Sequence, residues 1–188
     1  MGNQRIILGI DPGTNIMGFG IIEIINNQPK YILMEAKHLN KNRTEGLEKL
    51  GLIYHETINI IQQYSITDVA IEAPFYGKNI QSMLKLGRAQ GIAIAAAIHQ
   101  KISVHEYAPR KIKQSITGRG SSSKEQVSSM LQRILCFTHN EKHFDATDAL
   151  AVALCHFFQQ NNSANKPTKK SNNSWSSFIK QNPDRLNP

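Results

Sequence analysis

Near the amino terminus the chain reads Arg5-Ile6-Ile7-Leu8-Gly9-Ile10-Asp11-Pro12-Gly13-Thr14. A continuous apolar run that ends in a Pro-Gly turn is typical of an inner β-strand. A second run, Asp68-Val69-Ala70-Ile71-Glu72, has the same form and also ends on a carboxylate. Asp11 and Glu72 are therefore predicted to stand at strand ends, where the backbone holds their side chains still.

The first 160 residues alternate predicted strands with predicted helices, which indicates an α/β domain. Strands Gly18–Ile24 and Lys30–Ala36 flank Asn26-Asn27, a hairpin turn signal. The periodicity also predicts helices over 44–64, 79–99, 109–117, 123–136 and 145–159, and a strand over 102–106. Because a hairpin comes first and a helical crossover follows, we predict a five-stranded mixed sheet flanked by helices.

The composition changes after Gln160, and residues 161–188 are predicted to be a disordered basic tail. Trp175, Phe178 and Ile179 interrupt this tail at one-turn spacing. They form either a docking peptide, for a partner or for the body of the protein, or an apolar group without a role.

Two further acids, Asp145 and Asp148, are three residues apart at the start of the last predicted helix and so share a face. Together with Asp11 and Glu72 they supply the oxygen ligands that magnesium takes while it keeps some of its waters. Two such ions can support phosphodiester cleavage, so the acids predict a metal-dependent nuclease. Taken singly, each acid could instead cap a turn or a helix, or face solvent.

The charge is concentrated in one part of the chain. Residues 78–133 carry ten Lys/Arg against two Asp/Glu, within a total formal charge of +8. A basic segment beside acidic ones indicates a phosphate-binding surface around a metal site, although a solvated cationic face is the alternative. No apolar stretch is long enough to span a bilayer. We expect no secretory signal, and we expect Cys136 and Cys155 to be buried free thiols, which together favour the cytoplasm.

Lys113 and Lys124 form the second group of candidate residues. Lys124 lies at the predicted start of helix 123–136, where Ser122 and Glu125 fit a capping box. The turn before it contains Arg119 and offers free backbone N–H groups to a phosphate. We therefore predict that Arg119 and Ser122 contact DNA, and that the two lysines hold its backbone or stabilise charge on the scissile phosphate.

The residues that follow Glu72 are predicted to form a loop above the acids. Phe75 could stack on an unpaired base, or it could close the core together with Tyr76. His143, two residues before Asp145, either positions water or a ligand or is structural. His55, His99 and His156 lack the spacing of a zinc site.

Three ordered segments, between about Arg5 and His156, carry a resemblance to a known family. They are Ile7-Leu8-Gly9-Ile10-Asp11-Pro12-Gly13-Thr14 with Gly18-Phe19-Gly20; Ala70-Ile71-Glu72 with Phe75, Lys78-Asn79 and Leu84-Lys85-Leu86-Gly87; and Asp145-Ala146-Thr147-Asp148-Ala149-Leu150-Ala151-Val152-Ala153. Together they resemble the RuvC family of Holliday junction resolvases, which have a ribonuclease H-like fold. Some family members have histidine at the position of Asp145.

The resemblance implies that Asp11, Glu72, Asp145 and Asp148 are the catalytic metal ligands. It also implies that Lys113 and Lys124 are catalytic-site lysines, that Phe75 stacks on a junction base, and that Lys78 contacts DNA. The expected cofactor is magnesium, two ions per subunit, with manganese as a substitute. The expected protein is a homodimer that cuts a four-way junction symmetrically, with partners of the RuvA and RuvB type and no membrane.

Two other functions fit parts of the pattern. The Asp11-Pro12-Gly13-Thr14 turn also opens ATP-binding phosphotransferases of the actin-like class, but these need two such domains, and this chain has room for one. A non-catalytic junction-binding module would use the acids only to tune its surface. Nucleotide binding would identify the first, and junction binding without cleavage would identify the second.

Overall fold

The computed structural model describes residues 4–39, 46–74, 79–138 and 144–164, with side chains as far as residue 161. Five strands form one sheet in the order β3-β2-β1-β4-β5. Their bounds are β1 Arg5–Asp11, β2 Ile16–Ile25, β3 Gln28–His38, β4 Asp68–Glu72 and β5 Ser103–Tyr107. The β1–β2 and β2–β3 pairs are antiparallel, whereas β4 is parallel to both β1 and β5. The predicted five-stranded mixed sheet is therefore confirmed.

Helices cover both faces of this sheet. They are α1 Glu48–Gln63, α2 Ile80–His99, α3 Pro109–Thr117, α4 Lys124–Leu135 and α5 Phe144–Ala164. One buried layer packs α1 and α2 against alternate residues such as Leu8 and Phe19. The other packs α3, α4 and α5 against the opposite face, which includes Ile7 and Ile22. The period-two alternation of the strands thus supplies a core on each side.

The predicted hairpin is confirmed. Ile25 pairs with Gln28, and Asn26 and Asn27 between them have φ angles of 53° and 60°. Two central residues with positive φ are the signature of the type I′ turn, which asparagine tolerates better than most residues.

Two predicted helix ends are wrong. The predicted capping box of Ser122 and Glu125 is instead formed by Ser123 and Gln126. Ser122 is buried, and its hydroxyl lies 2.8 Å from Thr117 Oγ1 and donates to the Arg119 carbonyl at 3.1 Å, so it is already engaged. At the carboxyl end of the domain, α5 continues to Ala164, so the first residues of the predicted tail are helical. Extending an existing helix costs little because each added residue gains a hydrogen bond.

The cysteine prediction is half right. Cys155 is buried, but Cys136 is exposed. Cys136 ends α4 in the left-handed conformation, with φ of 51°, and so turns away from the apolar face of that helix. In the described part of the chain no helix is long and apolar enough to cross a membrane.

Helix α5 lies unusually close to β1 and β2 because both strands carry glycine beneath it. A Cβ added at Gly18 would overlap the Asp145 carbonyl oxygen, and one at Gly20 would overlap the Leu150 backbone. Gly18 also pairs with Asp11 across the two strands. This close approach brings the first turn of α5 next to the end of β1.

Polar contacts hold the second half of α5 at the other end of the central strands, where β1 and β4 begin. His156 is fully buried, with its Nδ1 2.8 Å from the Tyr107 hydroxyl and its Nε2 3.6 Å from Asp68 Oδ1. Arg5 Nε donates to Asp68 Oδ2 at 3.1 Å. The His156 ring and then the Arg5 guanidinium hold the pKa of Asp68 well below its usual range, despite partial burial. His156 is therefore a structural residue, which agrees with its lack of zinc-site spacing.

Candidate active site

Two of the predicted acids meet at the carboxyl ends of the neighbouring strands β1 and β4. Ile10 pairs with Ile71 in parallel register, so the next residue on each strand, Asp11 and Glu72, lies beside the other. Both side chains face α5, because they continue the alternation of Ile7 and Ala70. The prediction that two strand ends bring these acids together therefore holds in the structure.

The other two acids come from the first turns of α5. Asp145 and Asp148 lie near enough to Asp11 for their charges to raise its pKa. Asp145 follows Phe144 inside the helix, so it is a first-turn residue of α5. The four acids thus converge as the sequence predicts.

Both predicted lysines lie beside the acids. Lys124, the first residue of α4, donates from Nζ to Asp148 Oδ2. Lys113, from α3, lines the same cavity as Asp11, Glu72 and Asp148. This cavity has a volume of about 550 Å³ and is open to solvent along one side. It is large enough for a phosphate group together with hydrated cations.

Burial and mutual repulsion make this site unfavourable for four free carboxylates. Burial, followed by the charges of Glu72, Asp148 and Asp145, raises the pKa of Asp11 to about 8. Burial and the Asp148 charge raise the pKa of Glu72 to about 7. Burial also raises the pKa of Asp148, although its hydrogen bond from Lys124 opposes the change. A cation in the cavity would lower the pKa of all three carboxyl groups.

The donor set fits a hard cation. It consists of carboxylate oxygens, with no thiol or imidazole among the described residues that line the cavity. Within the described ranges no three His, Cys, Asp or Glu side chains are already grouped so that they could hold a metal ion. An open set of carboxylates suits magnesium, which keeps several waters and is held by one or two protein carboxylates plus substrate phosphate.

Of the four predicted DNA contacts outside this cavity, two lie in the described part of the chain and two do not. Arg119 is exposed and lines a separate open surface with Ser121 and Arg133, whereas the Ser122 hydroxyl is engaged within the turn. Phe75 and Lys78 lie outside the described residues, as do Tyr76, His143 and the tail residues Trp175, Phe178 and Ile179.

Sequence reasoning missed two residues near the site. Arg110 lines the cavity one turn before Lys113, a spacing that could have identified it. Gln90 is buried on α2, and its Nε2 donates to Glu106 Oε2 at 3.1 Å and more weakly to the Glu72 carbonyl at 3.4 Å. A polar residue on an otherwise apolar helix face was the available signal for Gln90.

Comparisons with known proteins agree with this geometry. The family model described as crossover junction endodeoxyribonuclease RuvC matches residues 7–156. A protein of that name from Cytophaga hutchinsonii is 53% identical, over 97% of this chain and 88% of its own length. Another from Christiangramia forsetii is 50% identical, over 98% and 94%. The solved structure of T. thermophilus RuvC in complex with Holliday junction substrate aligns with a TM-score of 0.78 at 27% identity, covering 87% of this chain and 99% of that one. The predicted ribonuclease H-like fold is thereby confirmed.

Proposed function

The chain belongs to the RuvC family of crossover junction endodeoxyribonucleases, and on that premise we propose that it resolves four-way DNA junctions by paired, magnesium-dependent nicks in recombination and repair. The observation that carries the proposal is one cavity that contains Asp11, Glu72, Asp148, Lys113 and Lys124. Each cut would leave a 5′-phosphate and a 3′-hydroxyl, which a ligase can seal.

Asp11, Glu72, Asp145 and Asp148 are the proposed ligands, for two magnesium ions per subunit or for manganese in their place. When bound, magnesium supplies charge neutralisation and lowers the pKa of water for attack on phosphorus. The carboxylates on the two strand ends and on α5 fix where the scissile phosphate lies between them. The raised pKa values of Asp11, Glu72 and Asp148 support this assignment, because added positive charge would stabilise these carboxylates.

The lysines have separate proposed roles. Lys124 already holds Asp148 and lies at the amino terminus of α4, where backbone N–H groups also favour an anion. As phosphate enters, Lys124 can shift from the carboxylate to the developing negative charge. Lys113 and Arg110 line the same wall and would hold the adjacent backbone. Phe75 and Lys78 remain proposed DNA contacts on the family resemblance, and Arg119 on its exposed position.

A homodimer is proposed because α2 carries an unpartnered apolar stripe. Ile80, Leu84 and Ile98 are 70%, 55% and 61% exposed and lie on one side of this helix. Gly87 and Gly91 fall on the same side, with no neighbour within 4 Å of an added Cβ, so another helix could approach closely there. Two copies joined in this way would present two sites to one junction. Partners of the RuvA and RuvB type and a cytoplasmic location complete the proposal.

Sedimentation velocity at micromolar concentration tests this interface. Wild-type protein should sediment as a dimer, and Leu84→Glu should shift it towards monomer because a charge would be buried in the contact. Glu56→Gln, which lies on α1 beside Lys37 and outside the apolar stripe, serves as the control. A wild-type protein that is monomeric both with and without DNA would rule out the α2 interface.

Cleavage of a synthetic mobile four-way junction tests the reaction. Symmetric paired nicks should appear in the junction but not in linear duplex of the same sequence, and EDTA should abolish them. Binding without cuts would instead identify the non-catalytic module. Equal cutting of duplex would leave a nuclease but remove junction selectivity.

A further inference from the structure

A second cavity lies at the same end of the strands as the acids, but on the opposite face of the sheet. It has a volume of about 350 Å³, lies between α1 and α2, and is bounded by Thr14 and Asn15 in the turn after β1. Among the described residues that line it, Lys49, Lys85 and Arg88 are the charged ones. We name it the α1–α2 pocket.

The three cations of this pocket form no ion pair among the described residues. Lys85 and Arg88 are exposed and lie one turn apart on α2. Lys49 Nζ donates to Asn15 Oδ1 at 3.2 Å, so its charge is held towards the turn. Elsewhere this chain does pair its lysines, as Lys37 with Glu35 and Lys124 with Asp148. Like charges gathered without a counterion attract an anion.

The position of the pocket relative to the acids limits which anion can reach it. Thr14 is three residues beyond Asp11, so their backbones are at most about 10 Å apart. At that distance, a strand whose scissile phosphate lies at the acids has other backbone phosphates near the pocket. The apolar stripe of Ile80, Leu84 and Ile98 borders these cations, because Leu84 precedes Lys85 and lies one turn before Arg88, so a dimer formed through it would place the pocket beside the contact.

We propose that the α1–α2 pocket is a second phosphate-binding site, in which Lys49, Lys85 and Arg88 hold a backbone phosphate of the junction near the cut. This inference rests on the proposed junction-cleaving function and adds a contact outside the catalytic cavity. Leu50 forms an apolar floor beneath the cations, above the fully buried Ile53, and would contact the deoxyribose. The pocket acts in binding and orientation, because none of its side chains lines the cavity of Asp11, Glu72 and Asp148.

The test compares two double variants with the same loss of charge. Lys85→Gln with Arg88→Gln alters the pocket, whereas Lys30→Gln with Lys101→Gln alters exposed lysines at the opposite edge of the sheet. Junction affinity is measured against salt concentration in EDTA, so that no cleavage occurs. The pocket variant should bind about 10-fold more weakly and lower the slope of log K against log salt by about one to two, as expected for lost phosphate contacts. The control variant should match wild type.

A second measurement locates the contact. One neutral methylphosphonate at a time replaces a phosphate of the cut strand. Wild type should lose affinity at one or two linkages near the cut, and the pocket variant should not lose affinity again at those linkages. Cleavage at saturating junction should stay within about threefold of wild type, because the catalytic groups are unchanged.

Three outcomes would overturn the proposal. An unchanged salt slope would mean that the cations are only solvated. A methylphosphonate effect that is additive with the variant would place the phosphate elsewhere. Stabilisation of wild type by inorganic phosphate or ATP, lost in the pocket variant without any change in junction affinity, would assign the pocket to a free phosphate compound. A wild-type protein that never cuts the junction would instead refute the proposed function.

Discussion

Replacing Asp11 with asparagine should lower junction cleavage at least about 10³-fold, because several kcal/mol of metal-dependent stabilisation is lost from the transition state. Asp11 is the acid most strongly coupled to the other three, so no neighbour can substitute for its position between Glu72 and α5. Junction binding in EDTA should be equal to that of wild type or slightly tighter, since one negative charge near the DNA is removed. Single-turnover cleavage and a binding assay measure the two effects separately.

The same substitution should stabilise the protein when no metal is present. The pKa of Asp11 is raised to about 8 in the folded state, whereas an unfolded chain releases this proton near a pKa of about 3.9. The folded state therefore binds the proton more tightly, and stability in EDTA falls as the pH rises from about 4 to about 8. Asp11→Asn should show a shallower fall and a higher Tm at pH 8. Magnesium should raise the Tm of wild type more than that of the variant.

These two readouts distinguish a metal ligand from a structural residue. A structural Asp11 would give a variant that melts lower in EDTA and loses junction binding together with cleavage. Glu35→Gln, on the exposed strand β3, is a control for loss of one carboxylate, because its ion pair with Lys37 is exposed and contributes about 1 kcal/mol or less. That variant should cleave as wild type does and should keep the pH dependence of wild type.

The acids were predictable because local sequence defines where strands end. Asp11 and Glu72 each close an apolar run, and the parallel pairing of β1 with β4 then places them together without any further information. Asp145 and Asp148 follow from helical spacing in the same way. Lys124 was predictable as a helix-start residue, but its bond to Asp148 depends on how α4 packs against α5.

Where the sequence prediction failed, tertiary contacts decided between equivalent local signals. Ser122 and Ser123 both qualify as helix caps, and the difference arises because Thr117 engages the Ser122 hydroxyl. In the sequence, Gln90 is one polar residue on an apolar helix face. Its contact with the end of β4 forms only when α2 packs against the sheet. The charges of the α1–α2 pocket come from two helices and a turn, so no single stretch of sequence indicates it.

Gly18→Ala should lower cleavage about 100-fold, because a misplacement of roughly 1 Å in the catalytic groups has that effect. The added methyl group would overlap the Asp145 carbonyl oxygen and also crowd the Ala149 side chain. The overlap involves the helix backbone, so the first turn of α5 must move away from β2 and carry Asp145 and Asp148 away from Asp11. The protein should also lose about 1–3 kcal/mol of stability, as overpacked cores do.

Gly20→Ala provides the matched control. It adds the same methyl group on the same face of β2 and overlaps the same helix, but at the Leu150 backbone, beyond both acids. Its loss of stability should be similar, whereas its loss of cleavage should be smaller. Gly91→Ala, which meets no atom within 4 Å inside α2, should raise the stability of the isolated subunit by about 0.5–1 kcal/mol, because alanine favours the helix over glycine.

Dependence on magnesium separates displacement of the acids from partial unfolding. If Gly18→Ala spreads the carboxylates, half-maximal cleavage should require more magnesium, and excess magnesium should restore part of the activity. Below its Tm, a variant that is merely unstable would cleave with the magnesium dependence of wild type. Equal cleavage defects in Gly18→Ala and Gly20→Ala, each in proportion to lost stability, would show that glycine at position 18 serves packing and not the placement of Asp145 and Asp148.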